Sequence, residues 1–320
     1  MRERTLGIAV SAIVAVAFGG ACAYFAIYGR QFYGFALFLG VPFAVGFLVV
    51  ALMRLFGPQT LARCMGVPVL SALALSLGFL AMGLEGIICI VMAIPLAGPP
   101  LIGGAAIAYW LFHERDLDPA RSAGTIAFLL ICGIVGEPLL RDEPTPRIVT
   151  DSVIVHASAA DTWNAVVGLD EVPSSADWIF RAGVACPERT RIITPAAGGY
   201  RVCRLSTGNL IEQIEVFEPE HTLRWRTRST PPPIREMNPF HPDVDPPHLH
   251  GYYDTPRGEF VLEALGPQVT RLTRRTWYSQ QLYPQAYWNF WAELAISRIH
   301  RTVLGHVRSM SEAGRAGARV

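Results

Sequence analysis

The sequence predicts a two-domain chain, N-terminal all-α transmembrane helices followed by an α+β domain, and three observations carry that prediction. Hydrophobic residues make up 51% of the 320 positions and charged residues 17%, against roughly a quarter charged in an ordinary soluble domain. Mean hydropathy is +0.32. Long apolar runs fill the chain up to about residue 140; beyond it the pattern changes to the alternation of strands and then to the three- and four-residue steps of one long helix.

All 27 basic residues are Arg, with no Lys anywhere. That excludes chemistry needing a lysine ammonium, such as a phosphate-loop lysine or a Schiff base. Against 26 acids the net charge is +1, so no long-range field argues for a nucleic-acid partner.

Apolar runs at 6–28, 32–53, 67–112 and 123–140 are each long enough to cross a hydrocarbon core of about 30 Å. The third is too long for one span. Divided at Gly83-Leu84-Glu85-Gly86 it gives spans at 67–83 and 87–112, five in all. A break at Gly98-Pro99-Pro100 also gives five but leaves Glu85 inside the bilayer. The first run lacks a cleavage site and reads as an anchor. Arg2, Arg4, Arg54, Arg63, Arg115 and Arg121 fall on one side of five spans and Arg30 and Arg141 on the other. The positive-inside rule makes the first set cytoplasmic, which places the C-terminal domain outside the cytoplasm.

The domains are therefore 1–140 (transmembrane), 141–147 (a stiff linker with Pro144 and Pro146), 148–313 and a short tail at 314–320. Ile148–Val155 reads as a strand, and Ser158 reads as the N-cap of a short helix through Trp163 and Val166. A second short helix or turn is expected over Ser174–Phe180. Strand-like runs follow at about 189–194, 200–207, 210–217, 221–228, 258–265 and 269–278. One amphipathic helix spans about 285–312, with Trp288, Ala292, Ile296, Ile299, Val303, Val307 and Met310 on its apolar stripe. A hairpin about 195–199 sets Cys203 opposite Arg191, too far from Cys186 for a disulfide. Two free thiols are expected.

That element order is the helix-grip order, and residues 148–313 resemble the SRPBCC superfamily of START, polyketide cyclase and birch-pollen-allergen-like proteins. The likeness is to its membrane-attached bacterial branch with a polytopic N-terminal region. It is carried by Ser206-Thr207-Gly208, Pro231-Pro232-Pro233, His248-Leu249-His250-Gly251, Arg257-Gly258-Glu259-Phe260, Thr276-Trp277-Tyr278, Pro284-Gln285-Ala286-Tyr287-Trp288 and Arg298-Ile299-His300. The resemblance implies a curved antiparallel sheet around the long helix, over an apolar cavity used for lipids, sterols or polyketides. It implies no shared catalytic set.

Alternation places Ile214, Val216, Leu223, Trp225, Phe260, Leu262 and Leu272 inward, with either Val202 or Leu205, whose parities are opposite. With Trp288 and Ile296 from the helix, these are the candidate ligand-binding residues. Singly each is more simply core; together they fit an apolar site. Arg224, Arg226, Arg228, Arg271, Arg274 and Arg275 look like an outward ladder, and 19 Arg against 18 acids over 147–320 make that face mixed in charge.

Ser229–Pro256 carries eight prolines and no regular pattern, a long loop read as a fixed lid over the cavity or a pad against the membrane domain. It holds His241, His248 and His250. The two histidines of His-x-His are the candidate catalytic groups, and with His241 they form an alternative metal set. Exposed loop histidines are the simpler reading, and no metal or cofactor is expected. Glu85, Cys89 and Met92 share a helical face, a soft-metal arrangement, but Glu85 also suits a cap for the helix that follows. Glu137 lies at a span end. The aromatic cluster Tyr287-Trp288-Asn289-Phe290-Trp291 suits either a membrane interface or a contact within the domain.

The function expected is membrane-anchored binding of a hydrophobic or amphipathic small molecule or lipid by an integral protein of the bacterial cell membrane. The alternative is a cyclase, dehydratase or hydrolase using His248, His250, Glu212 or Glu215 at the cavity mouth.

Overall fold

The computed structural model describes residues 2–115, 117–140, 144–172 and 177–317. Most of the expected linker core, 141–143, and the start of the second short helix, 174–176, lie outside them, as does the tail end, 318–320. The chain forms two compact units.

The first unit comprises Met1–Glu143, Glu236–His248 and Leu282–Pro284. Its helices are α1 (Arg2–Tyr24), α2 (Val41–Arg54), α3 (Leu61–Ala81), α4 (Ile87–Glu114) and α5 (Pro119–Gly136). With their flanking turns they give five segments long and apolar enough to cross a membrane: Thr5–Gly29, Ala36–Arg54, Leu61–Ala81, Ile87–Glu114 and Pro119–Leu140. The break in the third apolar run falls at 82–86, as expected. Pro99 and Pro100, the other proposed break, lie inside α4.

Helix α2 is the centre of this unit, with Ala44, Val45, Phe47, Val49, Val50 and Met53 buried. Gly46 and Gly104 let α2 and α4 touch through their backbones: a Cβ would stand 2.0 Å from the Leu101 carbonyl oxygen or 2.1 Å from that of Phe43. Small residues at such crossings let apolar helices pack closely. Glu137 caps the second span, accepting from the amides of Phe35 at 2.5 Å and Ala36 at 2.8 Å. Its position at a span end therefore has a structural cause.

The second unit comprises Pro144–Arg235, Leu249–Gln281 and Gln285–Val320. Its strands are β1 (Arg147–Val155), β2 (Pro187–Ile192), β3 (Tyr200–Leu205), β4 (Gly208–Glu218), β5 (Thr222–Ser229), β6 (Tyr253–Gly266) and β7 (Val269–Gln280). They form one antiparallel sheet in the order β1-β7-β6-β5-β4-β3-β2. Irregular pairings interrupt β4 and β6, and such bulges bend strands. Short helices α6 (Ala159–Val167) and α7 (Trp178–Arg181) follow β1, and α8 (Gln285–Gly317) closes the chain. Ser158 caps α6 as expected, accepting from the Asp161 amide. The outcome is the helix-grip architecture, with α8 running past residue 313 into the expected tail.

Its core joins Val155, Trp163, Leu169, Ile214, Leu223, Trp225, Phe260, Leu262 and Leu272 to Val303, Leu304 and Val307 of α8. Cys203 pairs with Thr190 rather than Arg191, a slip of one residue. The turn spans 193–199, because the Ile193 amide already bonds the Tyr200 carbonyl. None of the six cysteines is in a disulfide.

Candidate functional site

Two buried polar clusters stand out, one in each unit. In the helix-grip unit, period-two alternation puts Arg201 and Cys203 of β3 on the inner face, along with Glu212 of β4 and Arg274 of β7. Arg201 Nη1 and Glu212 Oε2 lie 3.1 Å apart, angled so that neither atom completes a hydrogen bond. The Arg201 guanidinium sits 4.1 Å over the Trp225 ring and Arg274 5.3 Å over Phe260, apolar and cation–π contact at once. The Trp225 indole also bonds the Glu212 carboxylate. Burial pushes Glu212 up against the pull of both arginines, and pushes Arg274 down to about 10, with Arg201 adding to it. Arg274 Nε and Nη1 and Arg201 Nη1 are buried without a hydrogen-bond partner.

Beside them His300 of α8 is fully buried. Its Nδ1 lies 3.0 Å from Asp151 Oδ2, and Thr276 Oγ1 lies 2.8 Å from its Nε2. Although the Asp151 carboxylate is adjacent, burial and then the Arg274 charge hold His300 down to about 2. A neutral ring that donates to Asp151 and accepts from Thr276 satisfies every partner.

In the first unit the segment Glu236–His248 is bound to the turn between α3 and α4. The Ile87 amide bonds the Met237 carbonyl. The Asn238 side chain donates to the carbonyls of Leu80 and Glu85 at 2.9 and 3.0 Å, and the His241 ring reaches the Ala81 carbonyl. This fixes Glu236 and His248 beside Glu85 and Cys89. Cys89 Sγ is 2.5 Å from Glu236 Oε1 and 2.9 Å from His248 Nε2. His248 Nδ1 is 3.4 Å from the Tyr33 hydroxyl and 3.7 Å from Glu85 Oε2. Burial, then the Glu236 charge, pushes Glu85 up to about 8 against a hydrogen bond from Tyr33. Burial raises Glu236 as well, opposed by the Cys89 thiol and the amides of Cys89, Ile88 and Met237.

The expected residues are distributed as follows. Ile214, Leu223, Trp225, Phe260 and Leu262 are in the helix-grip core, Trp288 and Ile296 are buried on α8, and Val216 is half-buried past a bulge. Of the alternatives on β3, Leu205 shares the parity of Arg201 and Cys203. Val202 instead lines a surface recess with Arg189, Arg191, Ile192 and Arg204. Arg274 does not belong to the outward ladder, because it shares its face of β7 with buried Leu272 and Tyr278. Of the remaining ladder arginines, Arg224 and Arg275 hold Glu259, Arg226 holds Glu215, which Arg257 also meets, Arg271 holds Glu263, and Arg228 donates to the Gln213 side chain.

His241, His248 and His250 do not form a set. His241 and His250 are exposed, while His248 is buried with Glu85 and Cys89. Glu85 is not the cap of α4; the carboxylate that the α4 amides act on is Glu236. Sequence reasoning missed Arg201, Asp151 and Glu236. Arg274 was legible two residues from Leu272; nothing local marks Glu236.

No family model and no curated protein matches the chain. Solved structures do. ZhuI aromatase/cyclase from Streptomyces sp. R1128 is 17% identical over 52% of this chain and 94% of its own, with TM-score 0.34. A norcoclaurine synthase point mutant from Thalictrum flavum is 11% identical over 55% and 99%, with TM-score 0.36. A START superfamily protein from Mycobacterium smegmatis is 13% identical over 51% and 98%, with TM-score 0.34. Each covers about half of this chain, and none carries over a ligand or a chemistry.

Proposed function

We propose that the helix-grip domain binds an amphipathic small molecule or lipid, with an apolar body against Trp225, Phe260, Leu262, Trp288 and Ile296 and an acceptor-rich head at Arg201 and Arg274. One observation carries this reading: among the described residues, Arg274 Nε and Nη1 and Arg201 Nη1 are buried beside the apolar core without a hydrogen-bond partner. Leaving a buried charged donor unmet costs about 1–3 kcal/mol or more, so an acceptor belongs there. Ligand sites of this kind are apolar with a few convergent polar groups.

Binding is favoured over catalysis because His300, the one imidazole beside these groups, is held far below the range of a working acid or base. The pair His248 and His250 of the catalytic alternative is divided between a buried cluster and an exposed loop.

The five apolar segments anchor the domain in the bilayer, with the domain on the non-cytoplasmic side. The loop arginines support that side. The contacts of Tyr33 and the 82–86 turn with the 236–248 segment support the odd span count.

The test is mass spectrometry of organic extracts from the full-length, detergent-purified protein, with cis-parinaric acid as a fluorescent probe. Wild type should carry a stoichiometric acceptor-bearing lipid and bind the probe, and Arg274→Met should weaken probe binding about tenfold or more. An empty extract together with no probe binding by folded wild type would overturn the reading.

A further inference from the structure

The cluster in the first unit is not used by that reading, and its chemistry is different. Glu85 comes from the turn before α4, Cys89 from the first turn of α4, and Glu236 and His248 from the two ends of a segment about 150 residues further on. One donor atom each from Glu85, Cys89 and His248 can be chosen so that all lie within 4.8 Å of one another. Glu236 Oε1 adds contacts of 2.5 Å to Cys89 Sγ and 3.9 Å to His248 Nε2. Glu85 and Glu236 are 7% and 3% exposed, and Oε2 of each is buried with no hydrogen-bond partner.

We propose that Glu85, Cys89, Glu236 and His248 form a four-coordinate site for a zinc-like divalent transition metal. The donors decide the class. Thiolate and imidazole select zinc-like ions over magnesium or calcium, which take oxygen ligands. Around tetrahedral zinc, with bonds of about 2.0–2.3 Å, ligand atoms stand roughly 3.3–3.8 Å apart; Cys89 Sγ, Glu236 Oε1 and His248 Nε2 stand 2.5–3.9 Å apart here, and a Glu85 oxygen lies within 4.8 Å of the Cys89 and His248 donor atoms. Binding turns the two open carboxylate oxygens into ligand or outer contacts and releases the thiol proton to solvent. His248 presents Nε2 toward Cys89 and Glu236, while Tyr33 meets Nδ1 and also bonds Glu85. That is the place of an outer partner that orients two ligands. Gly86 keeps the space open, because a Cβ there would stand 1.9 Å from Glu236 Oε2. Four protein ligands leave no open position, so the site is structural. It ties the 236–248 segment to the 82–86 turn, and it does not rest on the ligand reading above.

The experiment uses full-length protein purified in detergent through a tag without histidine, stripped with chelator, then exposed to Zn²⁺ or Co²⁺ and desalted. Elemental analysis should find close to one zinc per chain. Co²⁺ should give a thiolate charge-transfer band, absent in Cys89→Ser. Zinc affinity should fall about 10- to 100-fold in Tyr33→Phe and further in Cys89→Ser and His248→Ala. It should be unchanged in His250→Ala. Zinc should also protect Cys89 from maleimide in the wild type, a readout that needs no variant. Folded wild type without stoichiometric zinc would overturn the proposal. So would Co²⁺ bound without the thiolate band, or Cys89 labelled equally with and without zinc.

Discussion

The two buried clusters start from similar ingredients and differ in what answers the acids. In the helix-grip interior, Glu212 faces Arg201 and Arg274, and Asp151 faces a neutral His300. The deficit there is of acceptors, since it is guanidinium N–H groups that go unmet. In the first unit, Glu85 and Glu236 face each other, a thiol and an imidazole, and no arginine is among the groups acting on either acid. The deficit there is of positive charge. Burial makes each deficit expensive, and its sign identifies the missing partner: an acceptor-bearing molecule in one cluster, a cation in the other.

Deleting a cation from the first kind of cluster should do the most damage. Arg201→Met leaves Glu212 buried with its nearer counter-ion gone, and breaking a buried pair in this way costs about 3–5 kcal/mol. Urea unfolding of the full-length protein, followed by tryptophan fluorescence, should show it, and adding Glu212→Gln should recover much of the loss. A double variant no better than the single would mean that Arg201 acts through its packing on Trp225 instead.

The opposite substitution should have the opposite sign in the other cluster. Without metal, Glu236→Gln removes a buried like charge and should leave the first unit as stable as before or more so. With Zn²⁺ at about 100 times its Kd, wild type should gain about 2.7 kcal/mol, and the variant should gain little. Thermal melts with and without chelator measure both. If Glu236→Gln destabilises the stripped protein, the hydrogen bonds that its carboxylate accepts from the Ile88 and Cys89 amides outweigh the buried like charge, and the contrast between the clusters fails there.

How far each cluster could be read from the sequence follows from the distance over which it is assembled. The strands, the five apolar segments and the inward set Ile214, Leu223, Trp225, Phe260 and Leu262 depend on local period, and local period is written in the chain. Arg274 was within reach by the same rule, but arginines at 271, 274 and 275 look like one ladder unless parity is counted from Leu272. On β3 the apolar residues gave no direction, because its inner positions are Arg201 and Cys203. The first cluster is different in kind. Cys89 and Glu85 are a local pair and His248 an isolated signal; only the folding of 236–248 onto the 82–86 turn makes them neighbours, and no periodicity encodes that.

Acid should separate the two regions next. His300 is held at about 2 when folded and would titrate near 6.5 in the unfolded chain. Below pH 6.5 the unfolded state takes up a proton that the folded state refuses, so stability falls as pH drops. The slope is at most about 1.4 kcal/mol per pH unit, or about 2 kcal/mol between pH 6.5 and 5. His300→Gln should flatten that part of the profile. An unchanged slope in the variant would assign the acid sensitivity to other groups.

The smallest effect should come from the same sheet, one face away. Arg271 pairs with Glu263 on the outer face of β7 and β6, both well exposed, whereas Arg274, three residues on, is on the inner face. If pairing itself set the stakes, Arg271 would matter more, since Arg274 Nε and Nη1 have no hydrogen-bond partner among the described residues. If burial sets them, Arg271→Ala should cost no more than about 0–1 kcal/mol and its effect should shrink in high salt, while Arg274→Ala should cost several times as much and respond little to salt. Both can be read from urea midpoints at two ionic strengths. A large, salt-insensitive loss in Arg271→Ala would show that the outer ladder is a cooperative network rather than a solvated face, and the difference between the two faces of β7 would disappear.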